Sequence, residues 1–445
     1  MSALNWDGAG QEVTGLLQDL LRLDTTNPPG NEIIAAEYIA ERLREVSIEP
    51  TVLESAPGRG NVVGRLKGNG AAPPLLLMGH VDVVPAEPAK WQRPPFSGDL
   101  ADGYIWGRGA LDMKSIVAVH LMIMRLLARA AVPLRRDVIF MANADEEVGG
   151  KMGAGWMVDN HADLIRAEYA INEGGGMEMR IGGASFYTVQ TAEKGTARFS
   201  MRAYGPPGHA SVPRPDNAVT RLCEAVAALG RSQLPLRPTA TFEAMLDSIA
   251  EVFAALGPAK AALLDPATSS ATLAQLPLPD DLRLMFAAML HNTASPTILD
   301  AGTKINVIPS VAEAQVDGRT IPGSSGADLL AEVRAVVGDD IELEGHGDSP
   351  ALEAGLDSPL YDTIVEVMRE RWPEARPLPL LVPGATDAKH VTRLGTKVYG
   401  FSPLRNEAGV DSFALIHSHN ERISVNNLLF STQVIHDVVT RFAGA

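Results

Sequence analysis

Cysteine, aromatic residues and long apolar runs are all scarce in this 445-residue chain. Its single cysteine, Cys223, excludes an intramolecular disulfide framework and a thiolate-rich metal site. The most apolar stretch, 116–124, contains His120 and falls far short of the roughly 20 apolar residues that a membrane span needs. Residues 1–10 have neither the basic nor the apolar segment of a signal peptide, so we expect a cytoplasmic protein without a membrane partner.

Basic residues are also few: 38 Lys and Arg stand against 54 Asp and Glu, which gives a formal net charge of −16. A surface with this acidic excess repels polyanions, so we expect no nucleic-acid partner. Surplus carboxylates are usually solvated, although a cluster of them can bind cations, and only their positions along the chain distinguish the two cases. The length predicts two or three domains of about 100 to 200 residues each.

Short apolar runs toward both ends of the chain predict the strands of one sheet. Three of them, at 75–78, 138–141 and 169–172, lack the alternation of half-exposed strands, and a fourth, at 397–401, is rich in β-forming residues. Such runs are typical of parallel strands that are buried on both faces. Helices are expected over 115–127, as a crossover between the first two strands, and over 32–46, with Asn31 as its N-cap. The fold class predicted for this part is α/β, with a mixed, mostly parallel sheet flanked by helices.

The middle of the chain has a different pattern. Residues 196–203 alternate polar and apolar side chains, as a strand with one solvated face does. Helices are expected over 217–229 and through a Pro-punctuated stretch to about residue 291, and further strands are expected near 305–308 and 312–316. We therefore predict a smaller α+β domain at 192–319, inserted into a discontinuous domain formed by 1–191 and 320–445. A helix near 327–337 and a strand near 341–343 could complete the inserted domain.

Potential metal ligands and acids directly follow the first three of the apolar runs. His80 ends the first run, and Asp82 lies two residues on, where both side chains point the same way and the carboxylate can orient the imidazole. Glu146 and Glu147 follow the second run, and Glu173 follows the third. Because functional groups of open α/β sheets collect at the carboxyl ends of the strands, we expect these side chains to converge.

The spacing leaves several alternatives open. Adjacent carboxylates such as Glu146 and Glu147 repel each other unless a cation or a proton compensates, and because they diverge in direction, one can hold a metal while the other acts as a base. Asp112 follows a Gly-rich bend, where it is either a helix N-cap or a ligand. His417 and His419 both offer a further imidazole near the C-terminus.

One glutamate of the pair and one of these two histidines bring the candidate ligands to five, all nitrogen or oxygen donors. This set suits zinc, and also cobalt or manganese, because calcium and magnesium sites seldom use imidazole. Five ligands exceed what one catalytic zinc ion takes. We therefore predict two ions that share a carboxylate at a separation of roughly 3.5 to 4 Å.

These motifs resemble the M20 family of metallopeptidases and amidohydrolases, which includes aminoacylases, carboxypeptidases and desuccinylases. The segments that carry the resemblance occur in order over nearly the whole chain: 79–85, 107–114, 145–147, 172–174 and 417–421. The resemblance implies a zinc-exopeptidase type of fold, two Zn²⁺ ions, and an inserted domain that serves as a lid or for dimerisation. The helical stretch 241–293 exceeds what a simple lid needs and is similar to the carboxypeptidase S and long-aminoacylase branch.

The resemblance also assigns roles to single residues. Asp112 would bridge the two ions, with His80 and Glu173 completing one site. Glu147 and His417 would complete the other, and His419 is left without an assigned role. Glu146 would be the general base, and Asp82 would be the partner of His80.

Substrate-binding roles fall in the inserted domain and in a late loop. His209, in a Gly-His-Ala-Ser segment, would stabilise the oxyanion, in dimeric members at the active site of the partner subunit. Asn306 and Arg319 would bind the substrate carboxylate, a task that suits the bidentate guanidinium. Gly384 and Thr386 would line the pocket.

The predicted enzyme is a metal-dependent hydrolase that cleaves an amide bond next to a free carboxylate, of the N-acyl-amino-acid amidohydrolase (aminoacylase) type. A carboxypeptidase or dipeptidase of the same family is the alternative. The enzyme would act on a small N-acyl amino acid or a short peptide. A homodimer that forms through the inserted domain is also expected. A dinuclear phosphoesterase would need a basic phosphate clamp, whereas only Arg108 and Lys114 are basic near the ligands. A non-catalytic binding protein would need no free acid beside Glu147.

Overall fold

The computed structural model describes residues 4–253 and 256–445. Residues 1–3 of the N-terminal segment and residues 254–255 of the predicted helical stretch 241–293 lie outside the described residues. The contacts divide the chain into two units. The first unit contains the residues up to Gln190 together with Leu356–Leu378 and Thr386–Ala445, and the second contains Thr191–Gly355 and Pro379–Ala385.

Helices and strands alternate over most of the chain. The helices are α1 (Trp6–Arg22), α2 (Ile33–Arg44), α3 (Lys114–Arg129), α4 (Ala154–Asn160), α5 (Ala162–Ile165), α6 (Ala218–Arg231), α7 (Ala240–Ala250), α8 (Leu256–Leu263), α9 (Ser269–Gln275), α10 (Asp280–Leu290), α11 (Gly326–Val337), α12 (Pro359–Arg371), α13 (Ala388–Val391), α14 (Ser412–Leu415) and α15 (Val425–Ala443). The strands are β1 (Thr51–Glu54), β2 (Gly60–Leu66), β3 (Leu75–His80), β4 (Asp99–Ala101), β5 (Tyr104–Trp106), β6 (Val138–Asn143), β7 (Tyr169–Asn172), β8 (Glu178–Ile181), β9 (Ala184–Glu193), β10 (Gly195–Tyr204), β11 (Gly208–His209), β12 (Thr293–Ala301), β13 (Val307–Ile308), β14 (Val311–Thr320), β15 (Glu342–Ser349), β16 (Leu352–Glu353), β17 (Arg376–Val382), β18 (Lys397–Gly400) and β19 (Arg422–Ser424).

The first unit is built on a central sheet in the order β1-β2-β6-β3-β7-β18-β9. Strand β3 pairs in parallel with β6 and β7, and β18 pairs in parallel with β7, while β1, β2 and β9 are antiparallel to their neighbours. Every residue of β3, β6 and β7 is buried, as expected for parallel strands covered on both faces. The predicted α/β class, with a mixed, mostly parallel sheet flanked by helices, is confirmed.

Helix α3 is the crossover that was expected between β3 and β6, and it packs against both strands. Helices α1 and α15 pack against α3 and against each other. Helix α2 forms as predicted, but Asn31 as its N-cap was wrong. The N-cap position is occupied by Glu32, whose carboxylate accepts two hydrogen bonds from Arg59, at 2.8 and 2.9 Å, instead of capping the helix.

The second unit has a four-stranded antiparallel sheet in the order β12-β14-β10-β15. Helices α6 and α11 pack on this sheet around buried side chains such as Phe199 and Met201. Strand β12 was not predicted from the sequence because Pro296 interrupts it, and a strand tolerates proline at an edge, where β12 lies. Helices α7 to α10 form the predicted Pro-punctuated stretch.

The inserted part is longer than predicted. Because β15 pairs with β10 and α11 packs against β14, residues 320–355 belong to the second unit and not to the discontinuous one. The boundary expected at residue 319 therefore moves to Gly355. Within the described ranges, the structure contains no helix that is long and apolar enough to cross a lipid bilayer.

Candidate metal and active site

Side chains from three neighbouring strands meet at the carboxyl edge of the sheet in the first unit. His80 is the last residue of β3, Glu173 directly follows β7, and a short helical turn at Glu146–Val148 follows β6. His80 Nε2 lies 3.7 Å from Glu173 Oε2, so the expected convergence of these strand ends is observed. Parallel pairing in register explains it, because the strands then end at the same edge.

Asp112 lies between two imidazoles. Its Oδ1 atom is 3.1 Å from His80 Nε2, and its Oδ2 atom is 3.1 Å from His417 Nε2. Among the described residues, two groups have ligand atoms within 4.8 Å of one another: His80, Asp112 and Glu173, and Asp112, Glu147 and His417. Helix α3 begins at Lys114 with Met113 in the N-cap position, which removes the N-cap interpretation of Asp112.

The second group joins a buried glutamate to a residue from the C-terminal part of the chain. Glu147 Oε2 lies 3.2 Å from His417 Nε2, while Glu147 Oε1 is buried and has no hydrogen-bond partner in the part of the chain that the structure describes. A buried carboxylate oxygen without a hydrogen-bond partner has lost its hydration without any compensating interaction. A bound metal ion would supply that interaction, so this oxygen is a candidate metal ligand. His419 lies apart from this group, with its Nε2 atom 3.9 Å from Glu87 Oε1.

The carboxylates of this cluster shift one another's pKa values. Burial raises the pKa of Glu173 to about 7, and the charge of Asp112 adds to the effect. Burial, and then the charge of Glu173, raises the pKa of Glu146 well above its usual range. Hydrogen bonds to Asp112 and Glu147 raise the pKa of His417 to about 10. Divalent cations would compensate this concentration of negative charge, so two imidazoles, three carboxylates and an unpartnered carboxylate oxygen fit a dinuclear metal site.

Asp82 contacts both parts of the candidate site. Its Oδ1 atom accepts a hydrogen bond from the Glu146 backbone N–H and its Oδ2 atom accepts one from that of Glu147, each at 3.1 Å. Asn27 Nδ2 donates to Oδ2 at 2.8 Å. His80 Nδ1 lies 3.0 Å from the Asp82 backbone oxygen and 3.4 Å from Asp82 Oδ1. Asp82 therefore lies where it can orient His80, a role that stays a prediction, and its carboxylate in addition holds the turn that carries the glutamate pair.

Burial opposes ionisation of Asp82, but the hydrogen bond and charge of His80, together with the Asn27 hydrogen bond, lower the pKa of the carboxyl group. Asp82 is thus held as a carboxylate that only accepts hydrogen bonds. Because Nδ1 faces acceptor oxygens of Asp82, it would keep the ring proton when His80 binds a metal. The other ring nitrogen, Nε2, lies beside the carboxylates of Asp112 and Glu173, where its lone pair would be available to a cation that these carboxylates hold.

A second set of contacts around the glutamate turn was missed at the sequence level. Asp145 precedes the turn with a left-handed backbone, at a φ of 76°. Its carboxylate accepts hydrogen bonds from Arg59 Nη2 at 2.6 Å and from the Met152 backbone N–H at 2.8 Å. The same guanidinium is bonded to Glu32. These partners come from separate segments, so no local pattern in the sequence could have revealed them.

In the second unit, the structure brings His209 and Asn306 together. Strand β11 pairs with β13, with His209 opposite Val307, and the Ala210 backbone N–H donates to the Asn306 backbone oxygen at 3.2 Å. His209 Nδ1 accepts a hydrogen bond from the Ser211 backbone N–H at 3.2 Å. Because a backbone N–H can only donate, the ring proton of neutral His209 is on Nε2, where it is available to an oxyanion.

Arg319 is not brought to this pair. The ladder of β10 and β14 leads toward β11 and β13 at Val311, whereas Arg319 is eight residues further along β14, or about 26 Å at the usual strand rise. Arg319 Nε and Nη2 donate to the two carboxylate oxygens of Asp317, each at 3.0 Å. The remaining two pocket residues fall in different units: Gly384 lies in the second, and Thr386 lies in the first, where its hydroxyl accepts from Asn172 Nδ2 at 3.2 Å.

Comparisons with known proteins agree with this geometry. A family described as "Peptidase family M20/M25/M40" matches residues 76–441. The N-fatty-acyl-amino acid synthase/hydrolase of Xenopus tropicalis is 30% identical over 360 residues, which cover 79% of this chain and 69% of that protein. Aminoacylase-1 of Sus scrofa is 25% identical over 442 residues, which cover 95% of this chain and 93% of that protein.

Solved structures share the fold. An M20 family metallo-carboxypeptidase from Sulfolobus solfataricus has a TM-score of 0.71 at 18% identity, over 97% of this chain and 99% of that one. Human carnosine dipeptidase 1 has a TM-score of 0.68 at 15% identity, over 97% of this chain and 96% of that one. The resemblance drawn from the motifs is confirmed. The chain belongs to peptidase family M20/M25/M40 and is a metal-dependent hydrolase of that family.

Proposed function

We propose that this protein is an N-acyl-amino-acid amidohydrolase of the aminoacylase type that works with two zinc ions. The observation that supports this most directly is the position of Asp112, whose two oxygens each face one imidazole at 3.1 Å. A carboxylate placed in this way is suited to bridge two cations. The similarity to aminoacylase-1 and to the N-fatty-acyl-amino acid enzymes over most of the chain supports the acyl-amino acid class.

His80 and Glu173 would hold one ion, Glu147 and His417 the other, and Asp112 both; cobalt or manganese would suit the same donors. When bound, a pair of such ions polarises a carbonyl group and lowers the pKa of water. The cytoplasmic location expected from residues 1–10 stays a prediction.

Glu146 is the residue that would move the proton. It is next to Glu147 in the chain but belongs to neither of the ligand groups found among the described residues. A carboxylate beside the reacting water can take its proton and later deliver that proton to the leaving amine. Burial raises the pKa of Glu146, which favours the protonated form that must exist between the two transfers.

The second unit would supply the remaining groups. His209 would donate from Nε2 to the developing oxyanion, and Arg319 would bind the substrate carboxylate by exchanging it for Asp317. Asn306, which lies beside His209, would also contact the substrate carboxylate, and Gly384 and Thr386 would line the pocket. Because His209 and Arg319 lie toward opposite ends of the β14 ladder, one small substrate is too short to reach both within one chain. This separation supports a homodimer in which His209 serves the partner subunit.

A substrate panel tests the proposal. N-acetyl amino acids, long-chain N-acyl amino acids and dipeptides would be offered to the protein after removal of metal by a chelator, and again after addition of Zn²⁺ or Co²⁺. Metal-dependent release of amino acid from the N-acyl compounds is expected. Cleavage of dipeptides alone would replace the proposal with the carboxypeptidase or dipeptidase alternative, and no hydrolysis of any compound would refute both.

A further inference from the structure

Glu421 has a buried carboxylate that accepts four hydrogen bonds from a single segment. The residue is 0% exposed. Its Oε2 atom accepts from Arg108 Nη1 at 2.7 Å and from the Gly109 backbone N–H at 3.0 Å. Its Oε1 atom accepts from the backbone N–H groups of Leu111 at 2.7 Å and Asp112 at 3.1 Å. The segment that these donors define, 108–112, ends in the residue that faces both imidazoles.

Glu421 itself lies in the turn that carries His417. Glu421 lies four residues after His417, and its backbone oxygen accepts from the Gly107 N–H at 3.1 Å. Arg108 Nη2 donates to the His417 backbone oxygen at 3.4 Å. The turn is held in place at Asn420 as well, where the side-chain oxygen accepts from the Gln92 backbone N–H at 2.7 Å.

We propose that Glu421 is a positioning residue of the metal centre: its carboxylate sets the distance between Asp112 and His417. The proposal rests on the metal site described under the proposed function. Because Glu421 bonds to the main-chain N–H of Asp112 itself, any shift of this carboxylate moves the backbone from which the Asp112 side chain projects. The Arg108 guanidinium links the same carboxylate to the backbone of His417. The positions of Asp112 and His417 therefore both depend on the buried Glu421 carboxylate.

The arrangement requires a carboxylate. Glu421 presents four donors with two acceptor oxygens, and an ionised carboxylate has lone pairs for all four. Glutamine has nearly the same shape, but its NH₂ group would face two of these donors whichever way the amide turned. Segment 108–112 would then move away from one oxygen position, and Asp112 would move with it.

The experiment compares Glu421→Gln with Glu332→Gln. Glu332 is a matched control because it is a buried carboxylate bonded to Arg237 at 2.7 Å and Asn292 at 2.9 Å, all within the second unit. Metal-free full-length protein would be titrated with Zn²⁺ against a chromophoric chelator, with Co²⁺ as a second probe read by its visible absorption spectrum. Urea unfolding of the metal-free proteins would measure the purely structural loss.

We expect Glu421→Gln to weaken Zn²⁺ binding about 10- to 100-fold, the usual effect of losing an outer partner of a metal ligand, and to change the Co²⁺ spectrum. Glu332→Gln should lower stability toward urea but leave both metal readouts unchanged. If Glu421→Gln is destabilised yet binds Zn²⁺ as the wild type does, the positioning role is refuted and Glu421 is structural. If the wild type itself binds neither ion, the proposed function fails instead.

Should Glu421→Gln fail to fold, Arg108→Lys decides the question. Lysine keeps the positive charge next to Glu421 but lacks the second arm of the guanidinium that donates to the His417 backbone oxygen, so this link from Glu421 to His417 is lost while the backbone hydrogen bonds of the carboxylate remain. Weaker Zn²⁺ binding in a folded Arg108→Lys protein supports the proposal, and wild-type affinity overturns it.

Discussion

Replacing Asp82 with asparagine should weaken the contacts that hold the His80 imidazole and the turn at Glu146–Val148 in place. The carboxylate accepts from the backbone N–H groups of Glu146 and Glu147 and from Asn27, through two oxygens. Asparagine has one oxygen, so one of the two backbone N–H groups must face an NH₂ group. Losing one charge-assisted hydrogen bond and leaving one buried donor unpaired together cost about 3 kcal/mol of stability. Zn²⁺ affinity should fall about 10- to 100-fold, because His80 also loses its charged partner.

The assay is urea unfolding of the chelator-treated protein, followed by titration of the folded protein with Zn²⁺. Asp137→Asn is the control, because Asp137 likewise accepts from a backbone N–H, that of Gly68 at 2.8 Å, and from Arg65 at 2.9 Å. This control should lower stability and leave Zn²⁺ affinity unchanged. If both variants lose the same stability and Asp82→Asn binds Zn²⁺ with wild-type affinity, the role of Asp82 is only structural and the reasoning is refuted.

Three further outcomes are expected. Glu146→Gln should reduce kcat by about 10²- to 10⁴-fold, as loss of a general base does, with metal content still near that of the wild type; a variant that keeps a tenth of its kcat would show that the base is misassigned. Arg319→Ala should raise KM about 10- to 100-fold for substrates with a free carboxylate, and not for the matching amides, in steady-state assays. Burial lowers the pKa of His120 to about 3 in the folded protein, whereas the pKa in the unfolded chain is about 6.5. Below pH 6.5 the unfolded chain therefore binds a proton that the folded protein does not, and the free energy of unfolding decreases as the pH is lowered. His120→Leu should therefore remove about 2.5 kcal/mol of the loss that metal-free wild type shows in urea unfolding between pH 6.5 and 4.5, and parallel pH profiles would contradict this.

The sequence predicts most of the first unit because its signals are local. Apolar runs without alternation mark β3, β6 and β7, and β-forming residues mark β18; the parallel pairing of these strands brings the following residues to one edge. That rule brings His80, Glu173 and the Glu146–Glu147 pair to one edge, but it does not say which glutamate of the pair meets His417. The position of Asp112 does not follow from the rule either, because Asp112 before a helix is equally well an N-cap until the structure places Met113 there.

The parts that escaped prediction depend on contacts between distant segments. The N-cap position of α2 falls on Glu32 instead of Asn31, and the Glu32 carboxylate pairs with Arg59, 27 residues along the chain. Strand β12 carries a proline that is tolerated only because the strand lies at an edge, and edge position is a tertiary property. Arg319 was expected beside Asn306, but the length of β14 separates them, and strand length depends on pairing with β10.

The ion pair of Arg108 and Glu421 joins residues that are 313 positions apart in the chain. Strand β18 pairs with β7, and helix α15 packs against α1 and α3, so the late segments are interleaved with the early ones at several points. Within the first unit, these contacts hold the early and late portions together in addition to the chain that runs between them through the second unit. A proteolytic cut in an exposed loop of that unit should therefore leave two fragments that remain associated, with the first unit and its ligand set intact.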